Sequence, residues 1–220
     1  MLIPPFTLLL ALLPLIGYLI LIGGIRASGR AMITTGARDV AALGIAISGL
    51  VAVGPAELFF PTPAASMFGP WVWFAIATFY SLCLTLIAIT SRPKLVIYGR
   101  SPEQVFEPLL QAARRLDPAA VGDATRWQVT LPTIQVQLRV DGHPGADSAQ
   151  ILAFEPNLTP RFWHQLQGYL REAVPRQSVP RNFAGFSMLL AAACLIGLLL
   201  WHSSGREELV VEGFRKWLWR

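Results

Sequence analysis

Arg126 to Val140 reads RWQVTLPTIQVQLRV, a water-facing alternation in a chain otherwise filled with runs of leucine, isoleucine and alanine. Trp127, Val129 and Leu131 alternate with Gln128 and Thr130; Ile134, Val136, Leu138 and Val140 alternate with Gln135, Gln137 and Arg139. A period of two with one apolar and one polar face marks half-buried strands. The apolar set changes parity across Pro132 and Thr133, so a continuous strand would turn its second half to the wrong face. A tight turn at Pro132 is the preferred expectation. A bulged or bent long strand competes with it, because proline cannot take the positive φ of a type I′ hairpin.

The flanks complete a small domain over residues 92–181. PKLVIYG reads as a strand ending at Gly99. Ser101 then stands as N-cap with Pro102 at the first helical position and Gln104 at the third, the pattern of a capping box, and the helix is expected to reach about Asp117. Pro108 interrupts this run, so a helix opening there after Glu107 is the alternative. DGHPGADS is a turn cluster and AQILAFEP another strand. Thr159 and Pro160 open a second helix, with Trp163, Leu166, Leu170, Ala173 and Val174 on one side. The expected order is β-α-β-β-β-α, helices laid on one face of a largely antiparallel sheet. About 85 residues suffice for one modest core.

Outside this domain the chain has a second solvent to satisfy. Phe6–Ile25, Trp71–Thr90 and Phe183–Trp201 carry no charge, and Val40–Phe60 is apolar but for Ser48 and Glu57. At about 1.5 Å per residue each can cross a hydrocarbon core of about 30 Å. The fold class expected is therefore an α-helical membrane protein with four transmembrane helices and a small α+β domain inserted between the third and fourth. Its parts are helices 1–3 within residues 1–91 (about 6–25, 40–60 and 71–90), the domain at 92–181, helix 4 at 182–203, and an amphipathic interfacial tail at 204–220. Composition agrees: 54% hydrophobic residues, 14% charged and a mean hydropathy of +0.50 lie far from the globular norm of roughly 25% charged. MLIPPF lacks the positive charge of a signal peptide, and the apolar run after it is too long for one, so cleavage is not expected. Pro14 is expected to bend the first span.

Basic residues in the links set orientation. The link from Arg26 to Arg38 has three arginines, that from Glu57 to Pro70 has none, and Arg92 to Arg181 has eleven basic residues. The first link and the domain are thus expected in the cytoplasm of a bacterium, within its inner membrane, with both termini on the opposite side. The tail from Arg206 to Arg220 opposes this with four basic residues, but three glutamates reduce it to +1.

Chemistry is sparse. No Asp, Glu, Lys, Arg or His lies in the middle of a span, which disfavours a secondary transporter of ordinary type. HExxH, GxSxG, P-loop and GxGxxG motifs are all absent. Glu207 and Glu208 read as a solvated helix end. His143, His164 and His202 lack partners at ligand spacing, and Cys83 and Cys194 lie inside apolar spans as small hydrophobes. No catalytic residue, cofactor or metal is expected, and eleven basic against eight acidic residues in the domain make a weak footprint for nucleic acid.

Two features point to partners. Gly44, Ser48 and Ala52, continued by Ala56, recur every four residues on the second span, as do Ala77, Ser81 and Thr85 on the third; small residues so spaced let helices approach. In the tail, Phe214, Arg215, Lys216, Trp217 and Trp219 suit an interfacial anchor, joined by Trp201 at the end of the fourth span. The expected partners are the lipid bilayer and another membrane protein or a second copy. The expected function is a non-catalytic subunit of a membrane assembly with a docking or regulatory domain. A small-molecule transporter or sensor would need a wet cavity near Tyr18, Ser48, Thr78 and Ser81. A lipid-acting enzyme would need Arg, His and carboxylates converging near Arg92 to Arg100.

Overall fold

The computed structural model describes residues 4–54, 67–69, 71–143, 145–156, 158–174 and 183–218. Among them are seven helices: α1 (Pro5–Ala27), α2 (Gly36–Val53), α3 (Trp71–Thr90), α4 (Pro102–Leu116), α5 (Pro160–Ala173), α6 (Phe183–Ser203) and α7 (Glu207–Leu218). The described residues also form six strands: β1 (Met32–Thr35), β2 (Lys94–Tyr98), β3 (Val121–Asp123), β4 (Gln128–Leu131), β5 (Val136–Asp141) and β6 (Ser148–Ala153). The expected end of the second span at Phe60, Ala56 in its small-residue row, the proline-rich link except residues 67–69, and Trp219 lie outside the described residues.

Two compact units emerge, Met1–Ile22 with Val40–Ile89 and Ser187–Arg220, and Gly23–Asp39 with Thr90–Phe186. In the first, α1, α2, α3 and α6 are each long and apolar enough to cross a membrane. They leave large side chains such as Leu13, Ile45, Phe79, Ile89 and Leu190 exposed, as an apolar solvent would require. Where α1 meets α2, a Cβ on Gly49 would collide with the carbonyl oxygens of Leu10 and Ala11. Glycine there permits the close approach.

The second unit holds one antiparallel sheet in the order β1-β2-β6-β5-β4-β3. Leu95, Ile97, Leu138, Val140 and Ile151 point to a core closed by α4 and α5, where Val105, Leu109, Leu166 and Leu170 are fully buried. α4 begins at Pro102, with Gln104 Oε1 accepting from the Ser101 amide at 3.2 Å. It runs through Pro108, which does not start the helix. Thr159 caps α5 by accepting from Phe162 N at 3.3 Å.

Residues 132–135 form a turn. Leu131 pairs with Val136, so both face the core and the change of parity is resolved as a hairpin. Gln135 takes the positive φ, +54°, which Pro132 could not. Ile134, read as a strand residue, lies in this turn and is exposed. Two strands escaped the pattern: β3, of three residues, and β1, from the link between α1 and α2. Met32, Ile33, Thr34 and Thr35 pair antiparallel with Tyr98, Ile97, Val96 and Leu95. The sheet therefore includes a strand from outside residues 92–181.

Candidate functional site at the joint of link and sheet

β2 is buried on both faces. Leu95 and Ile97 enter the core, while Val96 and Tyr98 on the opposite face are also buried, as is Thr34 on β1. Polar residues of the helix-to-helix link meet this second face. The Arg26 guanidinium lies 5.4 Å from the centre of the Tyr98 ring and 3.4 Å from Asp147 Oδ1. Tyr98 donates its hydroxyl to Asp39 Oδ1 at 2.5 Å. Arg26 belongs to the last turn of α1 and Asp39 to the first turn of α2, so each helix end contributes one charge.

Arg100 closes the joint. Only 3% exposed, it donates through Nη1 to the carbonyls of Gly29 and Gly99, at 2.9 and 2.7 Å. Burial lowers the pKa of its guanidinium from the ordinary value. Gly99 has φ +78°, and a Cβ there would stand 2.6 Å from the Arg30 carbonyl oxygen. Its amide donates to the Asp147 carbonyl at 2.7 Å. Two arginines and two aspartates thus converge near residue 100, engaged with one another, with Tyr98 and with backbone carbonyls. Breaking one member of so shielded a pair as Arg26–Asp147 leaves an uncompensated charge, a loss of about 3–5 kcal/mol for fully buried pairs.

The cluster has the composition of a structural joint. His143 and His164 are exposed, and no described hydrogen bond or ion pair uses their side chains. Among the described residues no three His, Cys, Asp or Glu side chains gather as metal ligands. Cys83 and Cys194 are unpaired.

The two small-residue rows differ. Gly44 is buried, with no room for a Cβ beside the Leu84 side chain, and its carbonyl accepts from Tyr80 Oη at 2.6 Å. Ser48 and Ala52 are half-buried, whereas Ala77, Ser81 and Thr85 are all exposed. The Ser48 hydroxyl donates to the Ile45 carbonyl, Thr78 to Phe74, Ser81 to Ala77 and Thr85 to Ser81, all at 2.7 to 2.8 Å. Ala46 and Gly49 of α2 are also buried, and both lie off the row read in the sequence, two positions after Gly44 and one after Ser48.

Of the expected anchor, Trp201 is 86% exposed. Phe214 stands edge-on to Phe6 with ring centres 5.7 Å apart, Arg215 is exposed, and Lys216 pairs with Glu212 at 2.7 Å. The side chain of Trp217 lies outside the described residues. Arg26, Asp39, Tyr98, Arg100 and Asp147 had no motif to reveal them; the only signal was the concentration of arginines in the 26–38 link and after residue 91.

No family model matches the chain, and neither the curated proteins nor the solved structures include a significant match.

Proposed function

We propose that the chain is a four-span protein of the bacterial cytoplasmic membrane and serves as a non-catalytic subunit of a membrane assembly, its sheet domain acting in the cytoplasm as a docking or regulatory module. The observation that carries this reading is α3. Val72 is its only buried residue, and Ala77, Ser81 and Thr85 form an exposed row whose hydroxyls are already bonded to their own helix. A surface of small, internally satisfied residues lets a second helix approach at little desolvation cost. The same internal bonds at Ser48, Thr78 and Ser81 weigh against a wet transport path. The mutual pairing of Arg26, Arg100, Asp39 and Asp147 with their neighbours weighs against an enzyme working at that joint.

The test is extraction of the full chain from native membranes in mild detergent, followed by sizing and mass spectrometry. Another membrane protein is expected at fixed stoichiometry from the wild type and is expected to be lost from A77L/S81L, while the domain's melting behaviour is retained. A monomer or homo-oligomer in the wild type would defeat the subunit reading.

A further inference from the structure

The whole +5 charge of the chain resides in two short segments. Residues 23–39 and 90–100 hold six basic side chains, Arg26, Arg30, Arg38, Arg92, Lys94 and Arg100, against one acidic, Asp39. The remaining residues carry twelve basic and twelve acidic side chains. Both segments belong to the sheet unit, and both adjoin the ends of apolar helices. Arg38 is the third residue of α2, Arg92 follows the end of α3 at Thr90 by two residues, and Arg30 follows the end of α1 at Ala27 by three. At no more than about 3.6 Å per residue, none can stray far from the apolar boundary.

The six cations divide by occupation. Arg26 faces Asp147 and Tyr98, Arg100 is buried on two carbonyls, and Lys94 Nζ donates to Gln150 Oε1 at 3.2 Å. Arg30, Arg38 and Arg92 are exposed, and none has a side-chain hydrogen bond or ion pair among the described residues. The carboxylates that could neutralise them are engaged, Asp39 with Tyr98 and Asp147 with Arg26. The β1–β2 register gathers them further: Thr35 lies opposite Leu95, and the Gly36 Cα packs against the Lys94 side chain. Arg38 and Arg92 therefore flank one end of the ladder, with Arg30 at the other.

From this we infer that Arg30, Arg38 and Arg92 form a cationic collar that binds the phosphate headgroups of anionic phospholipids. The inference rests on the four helices crossing a bilayer, and it names the lipid class that their cytoplasmic ends recognise. Guanidinium groups suit phosphate because they donate in a planar fork. Basic residues at this depth favour an anionic surface over a zwitterionic one, by about fivefold each at physiological salt.

The test uses the full chain in vesicles of equimolar phosphatidylcholine and phosphatidylglycerol, released into native mass spectrometry to count retained lipids of each kind. Retention of phosphatidylglycerol is expected to exceed that of phosphatidylcholine several-fold for the wild type. The excess is expected to fall to near parity in R30Q/R38Q/R92Q, to persist in R30K/R38K/R92K, and to be unaltered in R114Q/R139Q, whose arginines are exposed but distant in sequence from the ends of the four apolar helices. Parity in the wild type, or an undiminished preference in the glutamine variant, overturns the collar. A chain that alkaline carbonate strips from the vesicles overturns the bilayer reading itself, a result separable from loss of lipid preference in an integrated chain.

Discussion

Asp117 is 1% exposed and accepts from Thr133 N and Oγ1, both at 2.8 Å, and from Ala119 N at 3.0 Å. Burial opposes its ionisation, but the Thr133 hydroxyl and the amides of Thr133, Ala119 and Ile134 favour the charged form more, and its pKa is lowered from the ordinary value. A carboxyl with a lowered folded-state pKa stabilises the fold above its unfolded value of about 3.9, and that contribution is lost as pH falls through the folded value. Asp117→Asn is therefore expected to melt earlier than the wild type at pH 7, with the gap closing as the medium is acidified below about pH 4. Unfolding followed by tryptophan fluorescence at both pH values checks this. An equal gap at the two would assign Asp117 no role in acid sensitivity. Local sequence suggested only a helix ending near this residue; the tie to Thr133 depends on where the hairpin folds back.

β1 shows why an element can be illegible. MITT is four residues long, lies between arginines and has only two apolar members, so no periodicity announces a strand. It becomes one because β2 offers an edge, and its own outer edge is then blocked. Gln167 Nε2 and Arg171 Nη2 of α5 both donate to the Ile33 carbonyl, at 3.3 Å, a covering that protects an edge from further pairing. Because this carbonyl points away from β2, Ile33 and Ile97 are a non-hydrogen-bonded pair, and the amides of Val96 and Tyr98 face β1. Ile33, 8% exposed, also reaches the core. Ile33→Ala is expected to destabilise the sheet unit by about 2–5 kcal/mol and to speed hydrogen exchange at Val96 and Tyr98 before the β5 amides. Uniform protection across β2 and β5 in the variant would show β1 to be dispensable.

For the whole molecule, the ladder between β1 and β2 adds a constraint that charge counting lacks. Strands that share hydrogen bonds lie on one side of any bilayer, so the link after α1 and the insert after α3 are expected together. With Cys83 and Cys194 replaced by alanine, Ser28→Cys and Gln137→Cys are predicted to react with an impermeant maleimide from the same side, and Met67→Cys from the other. By the basic residues of the links, the shared side is expected to be the cytoplasm. Labelling of Ser28→Cys and Gln137→Cys from opposite sides would be incompatible with the sheet.

The sequence by itself determined what depends on neighbours along the chain. Four long apolar helices, the alternating strands β4 and β5, and the amphipathic helices α4, α5 and α7 follow from periodicity and caps, since burial of one face is a local demand. Tertiary structure alone decided which partners those faces found. β1 exists through an edge distant in sequence, the charges of Arg26, Asp39, Arg100 and Asp147 meet through folding, and the close approach of α1 and α2 falls at Gly49. The physical reason is common to all three: a ladder hydrogen bond, an ion pair and a helix crossing each need two complementary surfaces, and a local pattern specifies only one.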